Sequence, residues 1–319
     1  MTLWAGIDEA GYGPLLGPLV VAGAAFRVPG SVREGVLWDL LDEAVSQHAS
    51  HRGDRLIVDD SKKVYSPKDG LKRLEEGVLA FVRAASELPR SGGALLNALG
   101  GGVPDTLAPW FRSMPDTDLP LGSNMSAVES KASALRESLE RSDVEVCGVW
   151  AIPVLPKEFN DMVQRTGNKS YLLFQKCGRL LLKTFALGRE DACHVLVDRH
   201  GGRIRYRKLL RDLHPAMSCD VVREGDDGSV YKIGDQSKPR TVAFKKEGDA
   251  LALPVALASM TAKYVRELYM AAFNCYWQER LDGLKPTAGY AKDAKRFLSE
   301  IGPLIEEDGI DRSSLVRSR

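Results

Sequence analysis

Two adjacent carboxylates near the start of the sequence are the residues best suited to chemistry. Asp8 and Glu9 follow an apolar run and precede a glycine-rich turn. Like charges this close repel one another, and a bound cation is the usual reason for keeping them together. The pair therefore predicts a metal-dependent enzyme.

The distribution of the cysteines and histidines argues for a hard cation and against zinc. The five cysteines are scattered without a CxxC pair, and the five histidines do not stand at ligand spacings. A zinc site is therefore not expected. We expect the cysteines to be free thiols in a reducing compartment. Any bound metal should be held by oxygen atoms, as Mg²⁺ and Mn²⁺ are.

Composition places the chain among globular proteins. It has 319 residues, of which 44% are hydrophobic and 27% charged, enough for a substantial core. No stretch is long and apolar enough to cross a membrane, and the sequence enters an apolar strand pattern directly, without the pattern of a secretory signal. We expect a cytoplasmic protein and, because no heptad pattern is visible, a monomer.

Charge alone does not indicate a nucleic-acid partner, because the net charge is only +1. Basic residues do cluster between positions 199 and 211, at Arg199, Arg203, Arg205, Arg207, Lys208 and Arg211. A phosphate-facing surface has this composition, but so does a solvated helix face. Without other evidence the second interpretation is favoured.

The elements that must position the acidic pair alternate between strands and helices. Apolar runs predict a hairpin of strands at about 3–8 and 18–26 and single strands at 55–58, 144–152 and 192–197. A second hairpin is predicted at 216–223 and 229–233. Helices are predicted at 33–46, 66–87, 126–141, 170–187, 249–269, 272–281 and 291–301, with a short one opening at Pro156. This succession predicts an α/β fold with a mixed sheet flanked by helices.

One segment interrupts this alternation. Residues 89–121 contain Gly92-Gly93, three glycines at 100–102 and several prolines, and are predicted to be a surface insertion with little regular structure. We divide the chain into a catalytic domain at 1–271, with this insertion at about 89–121, and a C-terminal helical extension at 272–319 packed on it.

Four segments, in order, resemble the ribonuclease HII (type 2 ribonuclease H) family. The first, Gly6-Ile7-Asp8-Glu9-Ala10-Gly11-Tyr12-Gly13-Pro14-Leu15-Leu16-Gly17-Pro18, is similar to the family's Gly-Ile-Asp-Glu-Ala-Gly-Arg-Gly-Pro-Leu-Ala-Gly-Pro. The others are Asp60-Ser61-Lys62, Val195-Leu196-Val197-Asp198, and Glu247-Gly248-Asp249-Ala250 continued by Ala258-Ser259-Met260-Thr261-Ala262-Lys263-Tyr264-Val265-Arg266-Glu267. Gly289-Tyr290 is a weaker fifth match. The first and fourth segments are specific, and together the segments span most of the chain.

The resemblance implies a ribonuclease H-like fold with four acidic residues around two Mg²⁺ or Mn²⁺ ions. The residues carried over are Asp8, Glu9, Asp198 and Glu267. Two cations about 4 Å apart can activate a water and stabilise the leaving 3′ oxygen of a phosphodiester. Structural alternatives exist: Asp198 could be a turn residue at a strand end, and Glu267 could pair with Lys263 four positions earlier on a helix.

Five further residues are implied to contact substrate. Gly11, Tyr12 and Gly13 form the loop whose backbone meets the ribonucleotide in the resembled family, and glycine permits such a close approach. Lys62 is a candidate phosphate contact. Tyr290 would pack at an RNA–DNA junction, where the 2′-hydroxyl distinguishes RNA from DNA. An exposed lysine and a half-buried loop tyrosine are the structural alternatives.

Two differences from the resembled pattern bear on function. Tyr12 stands where the family has arginine, so bidentate phosphate pairing at this position is lost. Glu267 stands where the family has aspartate, and its extra methylene moves a carboxylate by roughly 1 Å. These changes could lower activity or shift the metal preference toward Mn²⁺.

The hypothesis that follows is an endonuclease for the RNA strand of RNA–DNA hybrids, with ribonucleotides embedded in duplex DNA as a further substrate. It would leave 3′-hydroxyl and 5′-phosphate ends. The alternatives are a nuclease of the same fold acting on another structured nucleic acid, and a nucleic-acid-binding protein without catalysis. Repelling carboxylates are costly to keep without a metal, which argues against the last.

Overall fold

A computed structural model describes residues 1–31, 33–48, 54–66, 69–234 and 240–318. Its strands are β1 (Thr2–Ala10), β2 (Leu19–Val28), β3 (Val45–Ser46), β4 (Leu56–Ile57), β5 (Glu145–Val154), β6 (Ala192–Asp198), β7 (Cys219–Arg223), β8 (Ser229–Ile233) and β9 (Arg240–Lys245). The helices are α1 (Val36–Leu40), α2 (Ser61–Val64), α3 (Lys72–Ala85), α4 (Gly92–Ala98), α5 (Met125–Arg141), α6 (Pro156–Thr166), α7 (Lys169–Leu187), α8 (Arg207–Leu213), α9 (Gly248–Leu251), α10 (Leu253–Gln278), α11 (Ala291–Glu300), α12 (Gly302–Glu307) and α13 (Arg312–Leu315), with a 3-10 helix at Pro109–Phe111.

Seven strands form one mixed sheet in the order β5-β2-β1-β6-β9-β8-β7. The three central strands β1, β6 and β9 are parallel, and the outer neighbours pair antiparallel. Both predicted hairpins are present, as β1–β2 and β7–β8. The prediction of an α/β fold with a mixed sheet flanked by helices is confirmed.

Alternating side chains of β1 enter two separate apolar layers. Trp4 belongs to the layer that contains α3, α5 and α10, whereas Leu3, Ala5 and Ile7 face the layer that contains α7. This alternation is the period of a strand buried on both faces. Gly6 lets α10 approach closely, because a Cβ there would lie 2.2 Å from the Val255 nitrogen. Helix α10 is thereby held against the strand that carries Asp8.

The predicted insertion is more ordered than expected. Segment 89–121 contains α4 and a 3-10 helix, and most of its large apolar side chains are buried, with Trp110 and Phe111 each 1% exposed. Trp110 stacks on Trp277 of α10 with the ring centroids 5.9 Å apart. The prediction of a surface excursion with little regular structure was wrong, because glycines and prolines separate short apolar runs that find partners only in the tertiary structure.

Helix boundaries differ in three places. The helix predicted at 33–46 is the short α1 followed by strand β3, and α3 begins at Lys72 rather than at residue 66. Pro67, expected at its first turn, lies outside the described residues. The helices predicted at 249–269 and 272–281 are α9 and the 26-residue α10, with a break at Ala252. Because α10 runs through the boundary placed at 271/272, the division into two units stays a proposal.

Within the described ranges, no helix is long and apolar enough to cross a membrane. The five cysteines are free, and Cys177, Cys193 and Cys219 are buried.

Candidate active site

Three parallel strands bring acidic side chains to one edge of the sheet. Ile7 of β1 pairs with Val197 of β6, so that Asp8 and Asp198 follow at the carboxyl ends of neighbouring strands. Each of the residues Asp8, Glu9 and Asp198 contributes one carboxylate oxygen, and these three atoms lie within 4.8 Å of one another. Ligands in open α/β sheets bind at this edge. The structure therefore brings three of the four expected carboxylates together.

Asp8 is the most enclosed member, with 7% of its surface exposed. Its Oδ1 accepts a hydrogen bond of 2.7 Å from the backbone N–H of Glu9. Ser259 of α10 acts on the carboxylate of Asp8 as a polar neighbour that lowers its pKa. Burial raises the pKa of Asp8 well above its usual range, and the neighbouring charges of Glu9 and Asp198 raise it further.

Glu9 and Asp198 share this environment. Burial and the charge of Asp198 raise the pKa of Glu9 to about 8, although Lys62 opposes the shift. Burial also raises the pKa of Asp198, while the backbone N–H of Gly248 donates a 3.0 Å hydrogen bond to its Oδ1. Proton uptake is the response of clustered carboxylates that lack a counter-ion.

The donor set fits a hard cation. All of the convergent atoms are carboxylate oxygens, and none of these three residues forms an ion pair within the described parts of the chain. A divalent cation would supply the missing positive charge and lower the pKa of each ligand. Oxygen ligands of this kind suit Mg²⁺ or Mn²⁺.

Glu267, the fourth expected ligand, lies outside this cluster. Its carboxylate is not among the oxygens that lie within 4.8 Å of one another. Glu267 is eight residues along α10 from Ser259, and eight residues of helix rise about 12 Å. Its Oε1 accepts from Lys263 Nζ at 2.6 Å and lies 3.4 Å from Arg266 NH1. Glu267 therefore makes the i,i+4 pair that its spacing also allowed.

Asp249 is an acidic neighbour that the sequence analysis did not select. It follows β9, the third parallel strand, and adjoins Gly248, whose N–H binds Asp198. Burial, followed by the charges of Asp60 and Asp198, raises the pKa of Asp249 to about 6. Asp249 and Glu267 both lie in the fourth segment that resembles the ribonuclease HII family. Because strand β9 was not predicted, no sequence feature favoured Asp249 over Glu267.

Lys62 provides a positive charge that acts on the cluster. Its ammonium group lowers the pKa values of Glu9, Asp198 and Asp249. The turn that carries it is tied to the cluster through Ser61, whose hydroxyl lies 3.2 Å from the Ser259 hydroxyl. Asp60 caps the turn by accepting from the Lys62 N–H at 2.9 Å.

The glycine-rich loop continues from the acidic pair. Gly11 has φ +82°, and a Cβ there would lie 2.6 Å from Arg266 Nε and from the Pro18 carbonyl oxygen. A Cβ at Gly13 would meet no heavy atom within 4 Å, so this side of the loop is open. Tyr12 is half-buried, and Lys169 Nζ lies 5.2 Å from the centroid of its ring.

Tyr290 lies beside this loop. The carbonyl oxygen of Gly289 accepts from the backbone N–H groups of Leu15 and Leu16 at 2.8 and 3.2 Å. Tyr290 itself is 56% exposed, at the N-terminal end of α11. Its ring is thus available to a ligand at the same face.

Two buried arginines hold the loop from below. Arg266 NH2 donates to the carbonyl oxygens of Leu16 and Ala288 at 3.3 and 2.8 Å, and Arg317 NH2 donates to that of Pro14. The backbone N–H of Arg317 also donates to Leu15 at 2.9 Å. Burial lowers the pKa of Arg317 to about 9, and the charge of Arg266 contributes. The C-terminal segment is therefore part of the support of the loop.

The basic cluster at 199–211 does not form one surface. Arg199 is buried and donates to the Asp226 carbonyl oxygen at 3.0 Å, while Arg207 and Arg211 lie on α8. Arg203 differs from the others because its charge influences Tyr12. Only this member is placed at the acidic site by an interaction in the described structure.

A buried oxygen-donor cluster at the carboxyl edge of a mixed sheet defines an α/β protein with a candidate metal centre. No protein-family model and no curated protein sequence matches the chain. Among solved structures, it is similar to the PCNA:RNase HII complex from Archaeoglobus fulgidus (16% identity, TM-score 0.44, 99% of this chain and 94% of that one).

Two other solved structures are similar over nearly the whole chain. Ribonuclease H2 from Pyrococcus horikoshii OT3 has 16% identity and a TM-score of 0.47, covering 98% of this chain and 92% of that one. Bst-RNase HIII in complex with Mn²⁺ has 14% identity and a TM-score of 0.43, covering 99% and 66%. Because these scores are low, the function is proposed from the residues of the site.

Proposed function

We propose that the protein is a metal-dependent endonuclease that hydrolyses the RNA strand of RNA–DNA hybrids, and also cuts at ribonucleotides embedded in duplex DNA. The observation that carries this proposal is the convergence of Asp8, Glu9 and Asp198 within 4.8 Å, beside an open glycine loop. Buried, mutually repelling carboxylates next to a cleft are typical of catalytic metal sites.

Asp8, Glu9, Asp198 and, in place of Glu267, Asp249 would hold Mg²⁺ or Mn²⁺, with two ions as the proposed complement. Such ions supply an activated water and charge stabilisation for the leaving 3′ oxygen. Products would carry 3′-hydroxyl and 5′-phosphate ends. Supporting Asp249 are its position after β9 and its electrostatic interaction with Asp198.

The remaining residues would position the nucleic acid. Lys62, whose charge acts on Glu9, Asp198 and Asp249, would contact the phosphate that undergoes attack. Gly11 and Gly13 allow the loop backbone to approach the sugar, and Gly13 faces open space. Tyr290, exposed next to this loop, would stack at the ribonucleotide, where contact with a 2′-hydroxyl selects RNA. Together these contacts account for a preference for RNA.

A substrate panel tests the proposal. Labelled RNA–DNA hybrid, duplex DNA with one ribonucleotide, and all-DNA duplex are incubated with the protein in Mg²⁺, in Mn²⁺ and in EDTA. We expect metal-dependent cleavage of the first two, and loss of at least about 10³-fold in rate for Asp8→Asn, which removes a ligand charge.

The outcomes separate the interpretations. Cleavage of the hybrid alone would restrict the proposal to hybrids. No cleavage of any substrate in either metal, by protein with a cooperative thermal transition, would overturn it.

The division into a catalytic domain at 1–271 and an extension at 272–319, and a cytoplasmic location, are also proposed. The free buried thiols Cys177, Cys193 and Cys219 support a reducing compartment.

A further inference from the structure

Tyr12 stands between negative and positive side chains. The carboxylate of Glu9 and the guanidinium of Arg203 both act electrostatically on its hydroxyl. Lys169 Nζ lies over the ring, 5.2 Å from its centroid. Two cations from different elements thus converge on the phenol that adjoins the carboxylate cluster.

Each cation is held in place by its own contacts. Lys169 is the first residue of α7, whose N-terminus is capped by the Asn168 side chain accepting from Ser170 and Tyr171. Arg203 donates from Nε and NH2 to the Ser170 hydroxyl at 3.3 and 3.0 Å. Arg203 is thereby bound to the residue that follows Lys169 in α7.

An aromatic stack supports Arg203 from the other side. Its guanidinium lies 5.9 Å from the ring centroid of Tyr206, which is buried and stacked on Phe244 with centroids 3.6 Å apart. Contact with an aromatic face favours a cation without neutralising it. Arg203 is therefore ordered while its charge remains uncompensated.

Carboxylates do not neutralise this pair. Neither Lys169 nor Arg203 forms an ion pair in the ranges that the structure describes, although many other surface cations there do. Like charges drawn together raise the free energy unless an anion joins them. The arrangement leaves room for an external anion, since Lys169 is exposed and Arg203 half-buried.

We propose that Lys169 and Arg203, aligned by Tyr12, form a phosphate subsite that binds one backbone phosphate of the nucleic acid next to the carboxylate cluster. This inference rests on the proposed function. The Tyr12 hydroxyl supplies an additional hydrogen-bond donor to the same phosphate. A phosphodiester carries one negative charge and two free oxygens, which match one ammonium and one planar guanidinium.

Binding and kinetics of two variants test the subsite. Lys169→Gln and Arg203→Gln are compared with wild type for the dissociation constant of a labelled RNA–DNA hybrid, measured by anisotropy without divalent metal, and for KM and kcat in Mg²⁺. Each variant should weaken binding by about 5- to 30-fold with kcat within about 3-fold. The slope of log K against log salt should fall by about one.

Lys183→Gln is the matched control. Lys183 is on the same helix, its Nζ lies 4.9 Å from the ring centroid of Trp150, and 14 residues of helix separate it from Lys169 by about 21 Å. Its replacement removes one charge and one ring contact but should leave binding and the salt slope unchanged. Because Lys169 is exposed, its variant should fold even if Arg203→Gln is unstable.

Each outcome of these measurements supports or overturns the phosphate subsite. If wild type binds and cuts while both variants equal it, the subsite is overturned and the endonuclease proposal survives. If Lys183→Gln loses as much affinity as Lys169→Gln, the effect is one of general charge and the subsite is again overturned. Wild type that neither binds nor cuts overturns the endonuclease proposal, and the subsite with it.

Discussion

The carboxylates at and near the acidic site differ in how they are held in position. Asp8 and Glu9 are held together by backbone geometry and cannot avoid each other, whereas Asp249 approaches from a separate element. Glu267 is already paired with Lys263. These differences lead to two predictions about single residues.

The first concerns pH. The pKa of Glu9 is raised to about 8 in the metal-free fold, against 4.5 for an exposed glutamate. Protons are therefore bound more tightly in the folded than in the unfolded chain, and stability is full below about pH 4.5 and lost as pH rises toward 8. Glu9→Gln in EDTA should be more stable than wild type at pH 8 by roughly 1–2 kcal/mol, and equal to it at pH 4.

Urea denaturation at the two pH values measures this difference. Glu137→Gln, on the exposed face of α5, is the control and should change stability little at either pH. Equal stabilities of Glu9→Gln and wild type at pH 8 would contradict the raised pKa. In Mg²⁺ the order should reverse, because only the wild type keeps the full set of ligands.

The second prediction separates Asp249 from Glu267. Asp249→Asn should lower kcat by about 10²-fold or more, because it removes a proposed metal ligand. Glu267→Gln should stay within about 5-fold, since it removes only a mostly buried ion pair that is not a proposed metal ligand. Steady-state cleavage of the hybrid measures both. The reverse order of losses would restore Glu267 to the ligand set.

Strands and helices determine which of these residues meet. The apolar runs predicted β1, β2 and β6, whereas the meeting of Asp8 with Asp198 was implied only by the resemblance to the ribonuclease HII family. Strand β9 was missed, because Arg240–Lys245 is only six residues long and alternates weakly. Without β9, Asp249 had no predicted position, while a long apolar helix made Glu267 appear well placed. On α10, Glu267 instead pairs with Lys263.

The burial of segment 89–121 could not be predicted from the local sequence pattern either. Glycines and prolines predict irregular backbone correctly over parts of it, but the partners of Trp110 and Phe111 lie more than 150 residues later in α10. Propensity describes neighbours in sequence, and tertiary packing overrides it here.

Helix α3 anchors the end of that segment through a buried carboxylate. Glu75 is fully buried and accepts from the backbone N–H groups of Leu121, Gly122 and Ser123 at 2.6 to 2.9 Å, and from the Tyr264 hydroxyl at 2.7 Å. An amide cannot accept on both sides, so Glu75→Gln should leave N–H groups unsatisfied and cost about 2–4 kcal/mol. Thermal denaturation checks this, with exposed Glu87→Gln as a control that should lie within about 0.5 kcal/mol of wild type. A Glu75→Gln protein as stable as wild type would contradict this role.

Over the whole molecule, the two ends of the described chain meet at the glycine loop. Arg317 binds the Pro14 carbonyl oxygen, and Asn160 holds the same C-terminal segment by donating to Ser313 and Val316 at 2.7 and 2.8 Å. Two nitrogens of Arg317 are buried without a partner, so this contact is maintained at an energetic cost. The contact between Arg317 and Pro14 is therefore better explained by its effect on the position of the glycine-rich loop than by a gain in stability.

Replacing Arg317 with methionine should therefore separate activity from stability. Methionine fills a similar volume without a buried charge, so Arg317→Met should change the free energy of unfolding by less than about 1.5 kcal/mol. Cleavage should nevertheless fall about 10-fold, because Pro14 loses its anchor and the loop its fixed geometry. Arg312→Met, at an exposed position of the same segment, should match wild type in both assays. Unchanged cleavage by Arg317→Met would contradict a positioning role.

The contact between Arg317 and Pro14 also has a consequence for biosynthesis. A ribosome makes Arg317 more than three hundred residues after Pro14. Folding during translation starts from the N-terminal part, so β1 and β2 can pair long before α13 exists. Nascent chains would thus carry the acidic pair with an unanchored loop until Arg317 has been made. The proposed nuclease would therefore reach its full rate only after the segment around Arg317 has folded onto this loop.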